Sequence, residues 1–283
     1  MSGIVAAAVV AHVPTLGRAE ITPDFQQTLV AGEREMGAAV RRVLKPDLWI
    51  VVSAHWVATF EWVTTCQSVH EGHCVADEAP NLIPGLPYRY RGDADFAGTL
   101  VESLNAAGVP SSRNDSTHYA WDYGTYVPLS HIDPQAETAV VSLPSVLMSD
   151  HAECIKAGEV IHATAKRLNR RAVFVASTAF AHVLARGRQN WPTPERMAAD
   201  RAFIDLLRGG QIDTAIEGFS DYSRKVGAEM GGRPLATLLG VARSMIAERG
   251  PIVGRQYGGY AQSSGSGNAV LLMADPATLG SVH

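Results

Sequence analysis

Two histidines of this chain come directly after apolar, strand-like runs. His12 follows the run Ile4–Val10, and His55 follows the run Leu48–Val52. In an α/β sheet, ligands bind outside the carboxyl ends of the strands, so both imidazoles are predicted at one rim of the sheet. Because a single histidine at a strand end is commonly structural, the inference depends on the pair. Two neutral imidazoles that meet at such a rim make a pair of metal ligands.

Glu229 is the candidate for a third ligand. It lies in the segment KVGAEMGGRP, where Gly227, Gly231 and Gly232 let the backbone approach closely. Two histidines and one carboxylate, with open positions left on the metal, form the facial arrangement of non-haem Fe(II) oxygenases. One alternative is that Glu229 is a solvated loop carboxylate. A second is a zinc hydrolase, since the same donor set with an open position also serves metal-activated water.

Three further residues are candidates for acting on a substrate. His182 lies six residues after the strand-like run Ala172–Ala176 and is predicted at the same rim. An imidazole there can take up and return a proton near neutral pH. His118 and Tyr123 lie in STHYAWDYGTYVP, which we interpret as a loop that lines a pocket for an aromatic substrate; packing of this loop on the core is the alternative. No function is assigned to the other histidines, which are His70, His73, His131, His151, His162 and His283.

The elements that must position these residues alternate between short apolar strands and helices. Strands are predicted at Ile4–Val10, Leu48–Val52, Ala139–Leu143, Ala172–Ala176, Ile252–Tyr257 and Ala269–Met273. Helices are predicted at Phe25–Leu44, Ala94–Ala107, Asp150–Leu168, Glu195–Leu207 and Leu235–Glu248, with Asp24 and Asp93 as N-caps of the first two. This alternation favours an α/β fold: a single-domain α/β sandwich with a mostly parallel or mixed central sheet and helices on both faces.

Two segments carry few signals of regular structure. The stretch Glu71–Gly92 contains several prolines and is predicted as a long surface excursion of the kind that walls a site. The stretch Tyr257–Asn268 is predicted as a Gly/Ser-rich loop. Neither has the character of an interdomain linker, so a single catalytic domain spanning residues 1–283 is expected.

The composition excludes several classes of function. The 24 Lys and Arg residues are scattered among 28 Asp and Glu residues, which argues against nucleic-acid binding. Three cysteines without C-x-x-C spacing argue against a disulfide framework and a thiolate zinc site. The sequence has no run of about 18 apolar residues and no basic region before its first apolar run, so we expect a cytoplasmic protein without a membrane span. No H-E-x-x-H, G-x-S-x-G or P-loop motif occurs.

Six motifs, taken together and in order, resemble the class III extradiol ring-cleavage dioxygenases. They are AHVPTL at His12, SAHW at His55, WDYGTYVPL at Trp121–Leu129, STAFAH ending at His182, GAEMGG at Glu229 and the late SSGSGNAV. This is the superfamily of the protocatechuate 4,5-dioxygenase β subunit. The chain is most similar to the branch that holds homoprotocatechuate 2,3-dioxygenases and the β subunit of 2-aminophenol 1,6-dioxygenase. The similarity extends over nearly the whole chain.

The resemblance implies that His12, His55 and Glu229 hold Fe(II), and it puts His182 at the position of the acid–base histidine. It implies O₂ and a catechol as substrates, with a 2-aminophenol as the alternative. Protocatechuate-type members carry a second active-site histidine in a D-H-G motif, where this chain has Tyr123, and that departure disfavours protocatechuate or gallate. We also expect a homo-oligomer or an assembly with a partner subunit. A metal-free binding module on the same scaffold is the least favoured alternative.

Overall fold

A mixed six-stranded sheet forms the centre of the fold in the computed structural model, which describes residues 2–187 and 189–282. In chain order the strands are β1 (Gly3–Val10), β2 (Leu48–Ala58), β3 (Trp62–Thr65), β4 (Val69–Val75), β5 (Pro84–Arg91), β6 (Ser111–Asn114), β7 (Ala139–Val146), β8 (Arg171–Ser177), β9 (Val253–Ser263) and β10 (Ser266–Ala274). The central sheet has the order β7-β2-β8-β1-β10-β9. Its first four strands are parallel, whereas β10 and β9 are antiparallel to their neighbours.

Helices cover both faces of this sheet. They are α1 (Gln27–Val43), α2 (Ala94–Ala106), α3 (Tyr123–Ile132), α4 (His151–Arg167), α5 (Pro194–Arg208), α6 (Ile212–Glu217), α7 (Phe219–Val226), α8 (Arg233–Arg249) and α9 (Pro276–Ser281). Successive residues of a strand point to opposite faces. Accordingly Ile4 and Val9 of β1 join the core under α2, α4, α5 and α8, while Ala8 and Val10 join the core under α1 and α3. The predicted α/β sandwich with a mixed sheet is confirmed.

The parallel strands end side by side, which is what brings the candidate site together. Ser177 at the end of β8 pairs with Val10 of β1 on one side and with Ser53 of β2 on the other. The chain therefore leaves β1 and β8 at the same rim, close to the point where β2 loses its pairing with β8. None of the described helices is long and apolar enough to cross a membrane.

The helix ends agree in part with the predicted caps. The Asp93 side chain accepts the N–H of Phe96 and caps α2, as predicted. Asp24 does not cap α1, so that prediction is wrong. It begins a short 3-10 turn, its side chain makes no capping hydrogen bond, and the α-helix starts three residues later at Gln27.

Two segments that we predicted as loops contain strands. Within Glu71–Gly92, β4 and β5 pair as an antiparallel hairpin. Its prolines, Pro84 and Pro87, lie in a two-stranded ribbon, where both strands are edges and a missing N–H is tolerated. Tyr257–Asn268 forms most of the β9–β10 hairpin, and only residues 264 and 265 make its turn. Gly258 has φ +65° and lies so near Thr28 of α1 that a Cβ would be 2.2 Å from the Thr28 carbonyl oxygen, so this glycine serves close packing.

The aromatic segment at Trp121–Leu129 is also helical where a loop was predicted. The Asp122 side chain accepts the N–H of Thr125 and starts α3 at Tyr123. Pro128 lies inside this helix. Because proline has no N–H, Pro128 cannot donate to the carbonyl of Gly124 four residues earlier.

Candidate active site

The three side chains predicted as metal ligands meet at the rim of the sheet. Glu229 Oε1 lies 3.2 Å from His12 Nε2 and 3.3 Å from His55 Nε2. One atom from each residue can be chosen so that all three lie within 4.8 Å of one another. Ligand atoms at right angles around one metal, each about 2.1 Å from it, lie about 3 Å apart. The donor set therefore fits a divalent metal bound on one face.

Glu229 presents one carboxylate oxygen to the site and uses the other as an anchor. It is only 3% exposed, so the alternative of a solvated loop carboxylate is wrong. Its Oε2 accepts the N–H of Ala179 at 2.6 Å and the hydroxyl of Thr178 at 3.3 Å. Burial alone raises the pKa of Glu229, but the neighbouring imidazoles of His12 and His55 outweigh burial and hold that pKa well below its usual range. The residue therefore presents a single ionised oxygen that could bind a metal.

A run of left-handed backbone follows Glu229. Met230, Gly231 and Gly232 have φ values of 48°, 63° and 82°. Glycine adopts this conformation readily, whereas an L side chain such as that of Met230 does so at a conformational cost. The run turns the chain sharply from the candidate ligand Glu229 into α8. This geometry explains why the GAEMGG segment carries two glycines directly after its acidic and methionine residues.

The hydrogen bonds of Ser177 determine the tautomer of His12. Ser177 Oγ lies 2.5 Å from the carbonyl oxygen of Gly124 and 3.0 Å from His12 Nδ1. A hydroxyl has one hydrogen, and the carbonyl can only accept it. Ser177 therefore donates to Gly124 and accepts from the Nδ1–H of His12. This leaves the Nε2 lone pair of His12 directed at Glu229 and available to a metal.

His55 lies inside β2, past the end predicted from the apolar run, because the strand continues to Ala58 through an irregular register with β7. Its Nδ1 is 3.4 Å from Glu78 Oε1, and its Nε2 is 2.7 Å from the hydroxyl of Tyr123. Burial lowers the pKa of His55, but the hydrogen bond and charge of Glu229 outweigh burial and raise it overall.

Tyr123 is the first residue of α3, and its phenol reaches the site. Its ring centroid lies 4.0 Å from that of His55, and the residue is buried. Burial and the nearby carboxylate of Glu78 raise the pKa of Tyr123, so the phenol stays protonated and can donate a hydrogen bond. The ring also packs in the core under α1 and α3, so both functions considered for this residue are compatible.

His182 comes to the same rim on the loop after β8. Its Nε2 lies 3.2 Å from Glu229 Oε1, but it is not in the compact set formed by the other three residues. Burial lowers the pKa of His182, and the imidazoles of His12 and His55 add to this against the opposing charge of Glu229. A neutral imidazole at this position can accept a proton near neutral pH.

A buried carboxylate that the sequence analysis missed holds the loop of His182. Asp200 on α5 accepts the N–H of Ala181 at 3.0 Å and the hydroxyls of Tyr222 and Tyr260 at 3.0 and 2.6 Å. Burial raises the pKa of Asp200 to about 6, despite these three hydrogen bonds. No spacing signal marks this residue, because its partners come from three distant segments.

We expect Asp200→Asn to remove a pH dependence of stability between pH 4 and pH 6. With its pKa raised to about 6, folded Asp200 holds more protons than the unfolded residue in that window. The free energy of unfolding of the wild type should thus fall by about 2 kcal/mol relative to the variant as pH rises from 4 to 7. Urea unfolding at several pH values measures this difference. Asp213→Asn, at an exposed position of α6, is the control, and an equal slope for both variants would contradict the assignment.

The remaining histidines lie elsewhere. His118 is exposed in the loop before α3, where its backbone N–H donates to Ser116 Oγ, and it does not line the cavity at the cluster. The structure thus does not bring His118 to the other candidate residues. His283 lies outside the described residues. Four other histidines have structural partners: the Val140 carbonyl for His70, the Leu16 carbonyl for His131, the Gly231 carbonyl for His151 and Glu248 for His162.

A cavity of about 340 Å³ opens onto the ligand cluster. It is lined by His12, Val13, Pro14, Thr15, Pro23, Gln26, His55, Glu78, Leu82, Tyr123, Ala179, His182, Leu184, Glu229, Ser263, Ser264, Ser266 and Asn268. This volume is at the small end of ligand pockets and suits a molecule with one aromatic ring. The segment between β1 and α1 supplies six of these residues, and the β9–β10 hairpin together with the segment between β4 and β5 supplies six more.

Curated relatives cover most of the chain at low identity. The 3,4-dihydroxyphenylacetate 2,3-dioxygenase of Escherichia coli is 22% identical over 79% of this chain and 84% of its own length. The alpha subunit of 2-aminophenol 1,6-dioxygenase from Pseudomonas sp. is 25% identical over 81% and 84% of the two chains. The beta subunit of that enzyme is 23% identical over 95% and 93%. These relatives agree with the resemblance drawn from the six motifs.

A solved structure has the same fold. The uncharacterized protein JW3007 from Escherichia coli K12 superposes with a TM-score of 0.64 at 19% identity, over 95% of this chain and 99% of that one. In addition, residues 6–264 match the family described as the catalytic LigB subunit of aromatic ring-opening dioxygenases. Since this match spans most of the sequence, the chain belongs to the LigB family of ring-opening dioxygenases, within the class III extradiol superfamily.

Proposed function

We propose that the protein is an Fe(II)-dependent extradiol dioxygenase that opens the ring of a catechol with O₂. The observation that carries the proposal is the facial set formed by His12, His55 and Glu229, with open space beside it, in a member of a ring-opening family. Two neutral imidazoles and one carboxylate suit a ferrous ion. Bound Fe(II) would supply chelation of both catechol oxygens and a path for electrons from the ring to O₂.

Side chains around the metal site would transfer protons, hydrogen-bond the reactants and orient the ligands. We assign His182 as the base that accepts a phenolic proton of the substrate and later returns a proton, since its Nε2 faces the cluster without belonging to the ligand set. Tyr123 remains protonated and donates a hydrogen bond to an oxygen of the bound reactants. Ser177 keeps His12 in the ligating tautomer. His118 has no role in this proposal because it lies away from the cavity.

A 2-aminophenol is the second candidate substrate. Two relatives that cover most of this chain are named as subunits of 2-aminophenol 1,6-dioxygenase, which supports testing this class beside the catechols. A zinc hydrolase uses the same donor set and is separated from the oxygenase by the metal requirement.

The proposal is tested with protein loaded anaerobically with Fe(II) or Zn(II) and then mixed with catechols and 2-aminophenols in air. We expect O₂ uptake and coloured ring-fission products only with the ferrous protein. Ring opening of 2-aminophenols alone would favour the second candidate. Turnover of an ester or amide by the zinc form, without O₂ uptake by the ferrous form, would overturn the proposal.

We expect Tyr123→Phe to lower turnover by about two- to tenfold and to leave metal binding intact. The change removes one hydrogen bond to the reactants, and such a bond contributes about 0.5–1.5 kcal/mol. Steady-state kinetics with metal analysis measure the effect. Tyr126→Phe, on the same helix but outside the cavity lining, serves as the control. Unchanged turnover in Tyr123→Phe would assign the residue to packing alone.

We also propose that residues 1–283 act as one catalytic domain and that copies of it associate, with each other or with a related subunit. The alpha and beta subunits named among the relatives support such an assembly. Light scattering after size-exclusion chromatography of the purified chain tests it, since a monomer that turns over at full rate would overturn it.

A further inference from the structure

The cavity carries one acidic side chain besides the candidate ligand Glu229. Glu78 lies in the segment 76–83 between β4 and β5, and it lines the cavity. Its Oε1 is 3.4 Å from His55 Nδ1, and its side chain is 56% exposed. One carboxylate oxygen is thus directed at the histidine, while the group as a whole remains open to the cavity and the solvent. The charge of Glu78 therefore lies close to where a chelated ring would bind.

The rest of the described wall carries no permanently cationic side chain to offset this charge. Polar but uncharged side chains line much of it, namely Thr15, Gln26, Ser263, Ser264, Ser266 and Asn268. Among the described residues of the lining, no Lys or Arg occurs. A ring substituent that carries a carboxylate meets hydrogen-bond donors here but no described Lys or Arg. An ammonium group meets a carboxylate acceptor.

On the basis of the proposed function, we propose that the site prefers catechols whose ring substituent bears an amine over catechols whose substituent bears a carboxylate. The charge of Glu78 determines this preference. The attraction of a cation and the repulsion of an anion act in the same direction on the preference. An exposed ion pair changes an equilibrium by up to about fivefold, so the two effects together favour the amine several-fold, with an upper bound of about 25-fold.

The test compares three catechols on the iron-loaded protein: 4-(2-aminoethyl)catechol, the uncharged 4-ethylcatechol and 3,4-dihydroxyphenylacetate. We expect kcat/KM for the amine to exceed that for the carboxylate several-fold, up to about 25-fold, at low salt, and the ratio to shrink at high salt. Dissociation constants measured without O₂ should show the same ratio, because the preference lies in binding. A preference for the carboxylate would overturn the inference.

Glu78→Gln should bring the ratio of amine to carboxylate close to one, and Glu78→Lys should invert it. The uncharged catechol corrects for any change that these variants cause at His55 or at Tyr123, both of which interact with Glu78. Asp77→Asn is the matched control: it removes a charge from the adjacent exposed residue, which does not line the cavity, and should leave the ratio unchanged. A ratio that is unaltered in Glu78→Gln, or equally altered in Asp77→Asn, contradicts the assignment to Glu78.

The outcomes separate this inference from the proposed function. If no catechol or aminophenol is opened by the ferrous protein, the proposed function fails. If 4-ethylcatechol is opened but the ratio is wrong, only the role of Glu78 fails.

Discussion

His12→Ala is expected to abolish metal binding and turnover together. His12 Nε2 lies 3.2 Å from Glu229 Oε1, and the contact with Ser177 keeps Nδ1 of His12 protonated. The lone pair on Nε2 is therefore available to bind a metal. Removing it leaves one imidazole and one carboxylate, which is a weak site for a divalent metal. Elemental analysis after loading with Fe(II), beside an O₂-uptake assay, measures both effects.

The control for this change is His73→Ala, which removes an exposed imidazole of β4 from outside the cavity. It should keep full metal content and activity. Full iron stoichiometry in His12→Ala would falsify the ligand assignment. A thermal melting curve shows whether the variant still folds. We expect it to fold, because His12 lies beyond the end of β1 and the substitution leaves the buried residues of that strand unchanged.

His182→Phe is expected to keep the metal and to lose about 10²–10⁴-fold in turnover, the usual contribution of a general acid–base group. His182 contacts Glu229 but lies outside the compact ligand set. Phenylalanine fills a similar volume without a proton-accepting nitrogen. The measurement is single-turnover kinetics on the iron-loaded variant, with metal content determined on the same sample.

Two outcomes would contradict this role. Loss of iron in His182→Phe places the residue among the ligands, and turnover within a few-fold of the wild type removes it from the proton transfer. A change in KM alone would point to substrate binding. Because the loop of His182 is tied to Asp200 through Ala181, urea unfolding of the variant provides the check that the loop has kept its place.

The sequence predicted the parallel part of the fold because buried parallel strands are continuous apolar runs. The runs before His12 and His55 therefore located the rim correctly. The hairpins were missed for a different reason. The β4–β5 pair is a two-stranded ribbon in which prolines are tolerated, and Gly258 and Gly259 of β9 lack side chains where they pack against Thr28 of α1. Composition alone does not distinguish such strands from loops.

The residues around the candidate site divide in the same way. The positions of side chains at strand ends could be predicted, because an apolar run shows where its strand ends. Ser177, Glu78 and Asp200 were not found, although each contacts a candidate residue or its loop. Their partners lie 165, 23 and 19 positions away in sequence, and no local pattern encodes such pairs. His118 shows the converse: it stands next to a matching motif, yet the start of α3 leaves it exposed.

Pro128 in α3 limits the substitutions that this protein can accept without weakening its candidate metal site. The carbonyl of Gly124 accepts the Ser177 hydroxyl and receives no N–H from the residue four positions later, because proline has none to offer. An alanine at 128 would bring a second donor to this carbonyl, which has two lone pairs, and so weaken the serine bond rather than replace it. Whenever the serine hydroxyl donates to His12 instead, it selects the tautomer whose Nε2 has no lone pair for a metal. Substitution of the buried Pro128 would thus lower the affinity for the metal in a protein that still folds.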